Sequence, residues 1–418
     1  MFNVIIYDDE MKEELIDLSS INRAENMFRK NEGLTSFTSD LSSLTNGYWM
    51  FANCSNLTSF TSDLRSLTNG SYMFYYCRNL TTFNSDSSGS HVNLSSLTNG
   101  SSMFYGCENL TTFNSDLSSL TSGYGMFYKC SNLTSFTSDL SSLTSGYGMF
   151  DGCSKLTTFN SDLSSLTNGS SMFYGCSKLT TFNSDLSSLT NGSSMFYGCK
   201  NLTTFTSDLR SLTGGRMMFD SCSNLTSFTS DLSSLIDGFS MFEDCINLTT
   251  FTSDLSSLTS GMYMFDNCKL DTKSLLYIAE SINTVTNNPS IHIGIGNTTP
   301  TEEETELLTE IHNKGWKVFV NGTSNSNIFN PAALIPTDEE MPQIIPFYAK
   351  PEEVSEEDAE YIGEDGKCYI ILGGQFIFVD DPETYGMFTS LEDAAANMRL
   401  TPYDKSSQNE VTEEIETA

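Results

Sequence analysis

The sequence predicts a β-rich solenoid: an array of 23-residue coils with a cap at each end, followed by a small α+β module. A Met-Phe pair recurs eleven times between residues 27 and 265. A cysteine follows most of these pairs at a step of 23 residues, and the only longer step is the 30 residues from Cys77 to Cys107. A fixed period of this length is typical of stacked repeats, in which neighbouring units bury one continuous core.

One unit, residues 172–194, shows the pattern. Its apolar positions are Met172, Phe173, Cys176, Leu179, Phe182, Leu186 and Leu189. The segment from Leu179 to Phe182 contains β-branched residues and predicts a short strand. Strands of neighbouring coils would then pair in parallel, about 4.8 Å apart. The Asn191-Gly192 pair predicts a turn, because glycine accepts a positive φ without strain.

The order Leu-x-x-Phe, Gly and Met-Phe-x-x-Cys, repeated at 23 residues, resembles the BspA-type leucine-rich repeat of bacterial surface proteins. The resemblance covers residues 27–270, and Met126, Phe127 and Cys130 illustrate its last motif. It implies a leucine-rich-repeat solenoid and a non-enzymatic binding or adhesion role. Similar repeats occur in phage proteins of gut bacteria, so a phage-encoded member is also implied. Asn183-Ser184 departs from the family, which often has an aliphatic residue there.

The changes of pattern along the chain divide it into six parts. We expect an N-terminal cap (1–26), the repeats (27–270), an α/β cap (271–322), a linker (323–343), an α+β module (344–404) and an acidic, disordered tail (405–418). Within the N-terminal cap, Val4–Tyr7 should pair with the open edge of the first coil, and residues 11–18 should form a short helix.

Local signals predict the elements after the repeats. Asp271 should cap a helix that buries the apolar face Leu275, Ile278, Ala279 and Ile282. Residues 291–295 and 316–320 should be strands. Between them, residues 299–302 read as a capping box, with a proline at the first position of a helix that buries residues 307, 308 and 311 and ends at residue 315. In the module, residues 368–372 and 375–379 should form a hairpin around two glycines, and a helix should follow residue 390.

Charge and targeting signals limit the partners. The formal net charge is −33 and the pI about 4.1, and residues 301–418 hold 26 Asp and Glu against 6 Lys and Arg. Such a chain repels phosphate backbones and anionic lipids, which argues against nucleic acid and membrane insertion. The N-terminus lacks the basic region of a signal peptide, and no apolar run of about 18 residues is present. We therefore expect a virion or extracellular surface location, with the cytoplasm as the alternative.

Two ladders of potential ligands recur once per unit. Ten of the eleven cysteines occupy one repeat position and predict free, buried thiols without a cofactor or metal, while Cys368 should lie in a strand. The aspartates predict either Asx turns or calcium bridging between coils. They are Asp40, Asp63, Asp86, Asp116, Asp139, Asp162, Asp185, Asp208, Asp231 and Asp254.

The positions around Met-Phe vary between otherwise similar units and are rich in aromatic residues. They predict either a surface that binds a glycan or protein, or rings that only shield the coil edges. The candidate binding residues are Tyr48, Trp49, Tyr72, Tyr75, Tyr76, Tyr105, Tyr124, Tyr128 and Tyr147. The same stripe includes Tyr174, Tyr197 and Tyr263. A Thr/Ser array, to which Thr58 and Thr81 belong, predicts a solvated sheet face, a glycan surface or an ice-binding surface.

Catalysis has little support in the sequence. The three histidines, His91, His292 and His312, lie in different segments and form no pairing typical of a nucleophilic site. We therefore expect a non-enzymatic protein that binds a bacterial surface glycan or protein through the solenoid. The missing signal peptide favours a phage virion-associated protein whose C-terminal module contacts other virion proteins. The alternatives are a structural spacer and a bacterial surface adhesin lacking its leader.

Overall fold

A computed structural model describes residues 4–7, 13–16, 18–83, 92–296 and 300–320, and the strands between residues 347 and 402. The chain forms two compact units, Met1–Ala333 and Leu334–Ala418. The first unit is a parallel leucine-rich-repeat solenoid with a C-terminal cap, so the predicted fold class is confirmed.

Each coil contributes one two-residue strand that ends at the repeat phenylalanine. Successive strands pair in parallel and in register, for example Thr181 with Thr204 and Phe182 with Phe205. Four short sheets result, β3-β4-β5, β6-β7-β8, β9-β10 and β11-β12. The strands are β3 (Ser36–Phe37), β4 (Ser59–Phe60), β5 (Thr82–Phe83), β6 (Thr112–Phe113), β7 (Ser135–Phe136), β8 (Thr158–Phe159), β9 (Thr181–Phe182), β10 (Thr204–Phe205), β11 (Ser227–Phe228) and β12 (Thr250–Phe251).

A second line of coil-to-coil contacts runs through the outer segment, the eight residues from the repeat glycine to the position of the cysteine. Backbone N–H groups alternate here between two kinds of acceptor. The Phe173 N–H donates to the Met195 carbonyl of the next coil at 2.8 Å, whereas the Cys176 N–H donates to the Phe173 carbonyl of its own coil at 3.0 Å. The outer segment therefore satisfies its own backbone while it joins the coils.

The repeat glycine has a different role from the predicted one. Asn191 forms parallel bridges with Asn168 and Gly214, and Gly192 is not among the residues with positive φ. A Cβ on Gly192 would instead lie 2.9 Å from Met218 Sδ of the next coil. The prediction of a positive-φ turn is wrong here, because the glycine provides room for a methionine side chain.

The core is a double ladder of phenylalanine rings. Phe173 stacks on Phe150 and Phe196 with centroid distances of 5.4 Å each, and its edge contacts involve Phe159 at 4.8 Å and Phe182 at 5.3 Å. These rings are at most 2% exposed. Stacking of like residues thus fills the interior, as the period predicted.

The cysteine ladder lies inside this core. All ten coil cysteines are buried and free, which confirms the prediction for them. Each thiol donates to the carbonyl of the core phenylalanine in the preceding coil, for example Cys176 to Phe150 at 3.2 Å. Burial raises the pKa of these thiols, to about 11 at Cys54. Cys368 begins a strand of the second unit, as expected.

The aspartate and threonine ladders also serve the backbone. The Asp185 carboxylate accepts a hydrogen bond from the Ser187 N–H at 2.8 Å. Eight further aspartates of the ladder accept in the same way from the N–H of the second residue after them. The Asx-turn interpretation is confirmed for these nine, and Asp86 lies outside the described residues. The hydroxyls of Thr58 and Thr81 donate to carbonyls of the preceding coil at 2.9 and 3.1 Å. Those two hydroxyls therefore hold neighbouring coils together.

The C-terminal cap continues the solenoid with β13 (Gly261–Leu270), α1 (Thr272–Ser281), β14 (Ser290–Ile295), α2 (Glu302–Asn313) and β15 (Lys317–Val320). The strands form a parallel sheet in the order β13-β14-β15. Asp271 caps α1 as predicted. The N-cap of α2 is Thr301, which forms a capping box with Glu304, so the predicted start of that helix was two residues early. Neither helix has the length and apolar character needed to cross a bilayer.

Two expectations about the ends of the chain were wrong. The helix expected over residues 11–18 is contradicted at residues 13–16, because β2 (Glu13–Ile16) pairs antiparallel with β1 (Val4–Tyr7). This pairing also means that Val4–Tyr7 forms its own hairpin, in a sheet separate from that of the first coil.

The second unit is a five-stranded antiparallel sheet in the order β19-β16-β18-β17-β20. Its strands are β16 (Phe347–Glu353), β17 (Tyr361–Gly363), β18 (Cys368–Gly374), β19 (Gly386–Phe388) and β20 (Leu400–Pro402). Gly373 and Gly374 lie within β18 and pair with Ala349 and Tyr348, so the predicted hairpin around them is wrong. Residues 323–343, 375–379 and 405–418 and the helix expected after residue 390 lie outside the described residues.

Candidate binding surface on the outer segments

The outer segment presents four variable positions, the first, second, fifth and sixth residues after the repeat glycine. In the coil that begins at Gly70 they are Ser71, Tyr72, Tyr75 and Tyr76. The third and fourth residues are the core Met and Phe, which are fully buried in this coil. All nine predicted site residues occupy variable positions. The repeat therefore places them along one side of the solenoid.

Seven of these rings form one contiguous group, the aromatic cluster. Trp49 stacks on Tyr72 at 4.5 Å with 3° between the planes, and Tyr105 stacks on both Tyr75 (4.8 Å) and Tyr128 (4.4 Å). Tyr48 and Tyr76 join through edge contacts. The members of the aromatic cluster are Tyr48, Trp49, Tyr72, Tyr75, Tyr76, Tyr105 and Tyr128.

Other rings of the stripe lie apart from the aromatic cluster. Tyr124 and Tyr147 stack on each other at 5.0 Å, and Tyr174 stacks on Tyr197 at 4.6 Å. Asp151 is the fifth residue after the repeat glycine of its coil, which lies between the coils of Tyr128 and Tyr174. Tyr128 and Tyr174 occupy the same position in their coils, so Asp151 interrupts the row of tyrosines. Burial raises the pKa of Asp151 to about 7.

Many of the rings in the aromatic cluster pack their flat faces against each other. Tyr72, Tyr75 and Tyr105 are each only 7% exposed, whereas Tyr48 is 39% exposed. Burial raises the pKa of Tyr105, whose hydroxyl also forms a hydrogen bond with Tyr76. The surface offered to a ligand therefore consists of the exposed Tyr48 ring and the partly buried rings of Trp49, Tyr76 and Tyr128, rather than a flat apolar sheet.

Three members of the aromatic cluster adopt a left-handed backbone. The φ angles are 57° at Trp49, 57° at Tyr72 and 54° at Tyr76. A bulky L-residue costs about 1 kcal/mol or more in this region. The equivalent position is left-handed in other coils as well, where it holds Gly125, Gly148 or a residue such as Ser102. The ring contacts hold the side chains of these three residues against their neighbours.

Cations cover parts of the aromatic cluster, and the sequence analysis missed them. The Arg29 guanidinium lies 4.3 Å from the Trp49 ring centroid, and Lys129 lies 5.1 Å from the centroid of Tyr128. Arg78 lies 5.1 Å from the centroid of Tyr76. The available signal was that Arg29 and Lys129 occupy variable positions themselves, the fifth and sixth of their coils.

The other end of the same side is acidic. In the last three coils the fifth residue after the repeat glycine is Asp220, Glu243 or Asp266. Asp244 follows Glu243 in the chain. Burial raises the pKa of Asp220 to about 7 and also raises that of Glu243. Asp266 lies 3.3 Å from His292 Nδ1 in the cap. Among the described residues, no group of three or more His, Cys, Asp and Glu side chains is arranged to hold a metal ion.

The parallel coils of 23 residues define a leucine-rich-repeat solenoid, and one side of it changes from aromatic and cationic residues in the first coils to acidic residues in the last coils. The model of the BspA type leucine rich repeat region matches residues 14–100, 94–203 and 169–288, so the chain belongs to that family. None of the curated proteins compared with the chain matches it significantly.

Several solved structures are similar to the chain. A leucine-rich repeat protein from Bacteroides ovatus is 17% identical over 71% of this chain and 86% of its own, with a TM-score of 0.29. One from Eubacterium ventriosum is 20% identical over 64% and 77%, with a TM-score of 0.36. A leucine rich cell surface protein from Faecalibacterium prausnitzii is 17% identical over 73% and 84%, with a TM-score of 0.33. Nothing about function follows from likenesses of this size.

Proposed function

We propose that the chain is a non-enzymatic binding or adhesion protein that recognises a bacterial cell-surface glycan or protein through the aromatic cluster. The observation that carries this proposal is the gathering of seven rings and three cations on one side of the first coils. Rigid Tyr and Trp side chains lose little entropy on binding, and Arg is enriched in interfaces. Proteins of this family are typically surface-exposed, which agrees with the proposal.

A structural spacer remains the second candidate. The near-identity of the core and backbone positions supports it, because Asp185, Thr190 and Cys176 and their equivalents all join or shape coils. A spacer needs only such positions. It gives no reason for the tyrosine and tryptophan rings that gather at the variable positions of the first coils. Association with a phage particle, and docking of the second unit to virion proteins, stay predictions.

The proposal is tested with labelled full-length protein on a panel of intact gut-type bacterial cells. The variant Tyr48→Ala/Trp49→Gly removes the outermost rings of the aromatic cluster, and glycine accepts the left-handed backbone at position 49. We expect saturable binding by the unchanged chain and a loss of about tenfold or more in affinity for the variant.

The matched control is Tyr174→Ala/Tyr197→Ala, which removes a stacked ring pair from the same side but outside the aromatic cluster. It should bind like the unchanged chain. Equal losses in both variants would contradict the aromatic cluster as the binding site, and no binding to any cell would favour the spacer. Circular dichroism and thermal unfolding establish that each variant is folded before binding is compared.

A further inference from the structure

We infer that the ligand of the aromatic cluster is an anionic glycan, one that carries carboxylate or phosphate groups; this inference rests on the proposed function. Both flat faces of Trp49, on which a neutral sugar would stack, are already occupied. Trp49 meets Arg29 of the preceding coil at 4.3 Å and Tyr72 of the following coil at 4.5 Å. Because these two contacts come from opposite neighbours, both faces of the indole are covered.

Arg29 is oriented for an anion. Its guanidinium is held against the indole, and one of its N–H groups donates to Asn26 Oδ1 at 3.2 Å. No carboxylate within the described part of the chain lies within 4 Å of it, although Arg23 and Arg78 have such partners. A guanidinium has five N–H donors in a rigid fork, so one that is held over an aromatic ring still suits bidentate contact with a carboxylate or phosphate.

The surroundings of the aromatic cluster are positive in a strongly negative chain. In each of the first five coils, one ten-residue stretch contains the outer segment, the residue before it and the residue after it. These five stretches hold five cations and three carboxylates. The cations are Arg23, Arg29, Lys30, Arg78 and Lys129, and the carboxylates are Glu25, Glu32 and Glu108. The whole chain has a formal charge of −33 with only 20 Lys and Arg. Charges beyond about 8 Å are screened at physiological salt, so an approaching anion responds mainly to this local excess.

The acidic end of the same side limits where such a ligand can lie. In the last three coils the corresponding positions hold five carboxylates and two cations. The carboxylates are Asp220, Asp237, Glu243, Asp244 and Asp266, and the cations are Arg216 and Lys269. An anionic chain is repelled there, so we expect contacts from the first coil to about the coil of Lys129.

A cationic ligand fits this surface less well. Arg29, Arg78 and Lys129 already occupy the ring faces on which a cation would be attracted, and they would repel it. The exposed part of the cluster combines tyrosine hydroxyls, which can pair with sugar hydroxyls, and cationic side chains, which can pair with acidic groups. This combination favours an acidic sugar over a neutral sugar or a basic peptide.

The test measures binding of the full-length chain to purified polymers by biolayer interferometry in 50 mM and 300 mM NaCl. The probes are polygalacturonate, which carries carboxylates, a teichoic acid, which carries phosphates, and neutral dextran and galactan. The first two separate the possible anionic groups. The variant Arg29→Gln/Lys30→Gln removes the cation that covers Trp49 and its neighbour in the chain. The variant Lys155→Gln/Lys178→Gln removes two exposed lysines elsewhere at equal net charge.

We expect at least one anionic polymer to bind about tenfold or more tightly than either neutral one, and to weaken at the higher salt. Arg29→Gln/Lys30→Gln should lose about tenfold in affinity, and the lysine control less than about twofold. Equal binding of neutral polymers, or an unchanged affinity in Arg29→Gln/Lys30→Gln, would overturn the anionic ligand.

Different results would contradict the anionic ligand and the proposed binding function. If Tyr48→Ala/Trp49→Gly loses binding to cells or to a neutral polymer while Arg29→Gln/Lys30→Gln retains it, the aromatic cluster binds but the anionic assignment is wrong. If protease treatment of the cells abolishes binding and glycan removal does not, the ligand is a protein and the inference is wrong. If neither cells nor any polymer binds, both the inference and the proposed function fail.

Discussion

Removing one ring of the core ladder tests the packing on which the solenoid rests. Phe173 is fully buried and contacts four other phenylalanines, two by stacking at 5.4 Å and two by their edges. Truncation of a buried phenylalanine to alanine costs about 3–5 kcal/mol. Both neighbouring coils are fixed by the same ladder and cannot easily collapse into the space. We therefore expect Phe173→Ala to cost about 4 kcal/mol of the free energy of unfolding.

The neighbouring residue supplies the matched control. Tyr174 is 37% exposed and makes one stacking contact, with Tyr197 at 4.6 Å. Tyr174→Ala should therefore cost only about 1 kcal/mol. Urea unfolding followed by circular dichroism compares the two variants with the unchanged chain. With a denaturant slope of about 3 kcal/mol per molar or more, Phe173→Ala shifts the midpoint by about 1 M and Tyr174→Ala by about 0.3 M. Equal shifts would refute the phenylalanine ladder as the main source of stability.

Three further predictions follow from the described contacts. Gly315→Ala should destabilise the cap by about 3 kcal/mol or more in thermal unfolding, because φ is 96° and the new Cβ would lie 2.1 Å from the Val285 carbonyl oxygen; Gly296→Ala, with nothing within 4 Å, should be nearly neutral, and similar losses in both would contradict the geometry. Asp151→Asn should raise stability at pH 8 by about 1 kcal/mol or more and by less at pH 5. The sign follows from a folded pKa of about 7 above an ordinary value of 3.8: the burial cost of the charge is absent below about pH 4 and complete above pH 7. A larger gain at pH 5 would contradict this assignment. Native protein at pH 8 should show no thiol labelling at the ten coil cysteines by peptide mapping, and full labelling in urea, because the thiols are buried with raised pKa; rapid native labelling of several would contradict their burial.

The features that depend on the period alone were predictable from the sequence. Each coil repeats the environment of its neighbours, so the positions of Phe173, Cys176 and Asp185 in one unit determine those in all units. Asp271 was predictable for another reason, since its capping contact with Ser274 is local in the chain.

The features that depend on contacts between distant residues were not predictable in the same way. Gly192 looked like a turn residue, but the reason for it is a methionine in the next coil. Gly373 and Gly374 looked like a hairpin turn, but β18 continues through them because residues 347–353 supply a partner strand. Thr299 and Thr301 each have a glutamate three residues further on, so both were locally plausible caps, and the capping box forms at Thr301 with Glu304.

The candidate site was predictable as a set of residues but not as a surface. The variable positions identified all nine rings, yet their stacking depends on side-chain directions that the sequence does not state. The Trp49 indole packs between Arg29 and Tyr72, and these three residues come from three successive coils. This packing changes the expected surface from a row of open ring faces to partly covered rings with tyrosine hydroxyls and cations beside them.

The most direct test of binding at the aromatic cluster is the fluorescence of Trp49 during titration of the full-length chain with a polymer that it binds. The chain has two tryptophans, and Trp316 is fully buried in the cap, where its indole donates to the Asn283 carbonyl. A ligand at the aromatic cluster should therefore change the emission of Trp49 alone. The account predicts a saturable change whose midpoint equals the dissociation constant and which is absent in Trp49→Phe. Saturable binding that leaves the Trp49 emission unchanged would place the ligand elsewhere and contradict the account.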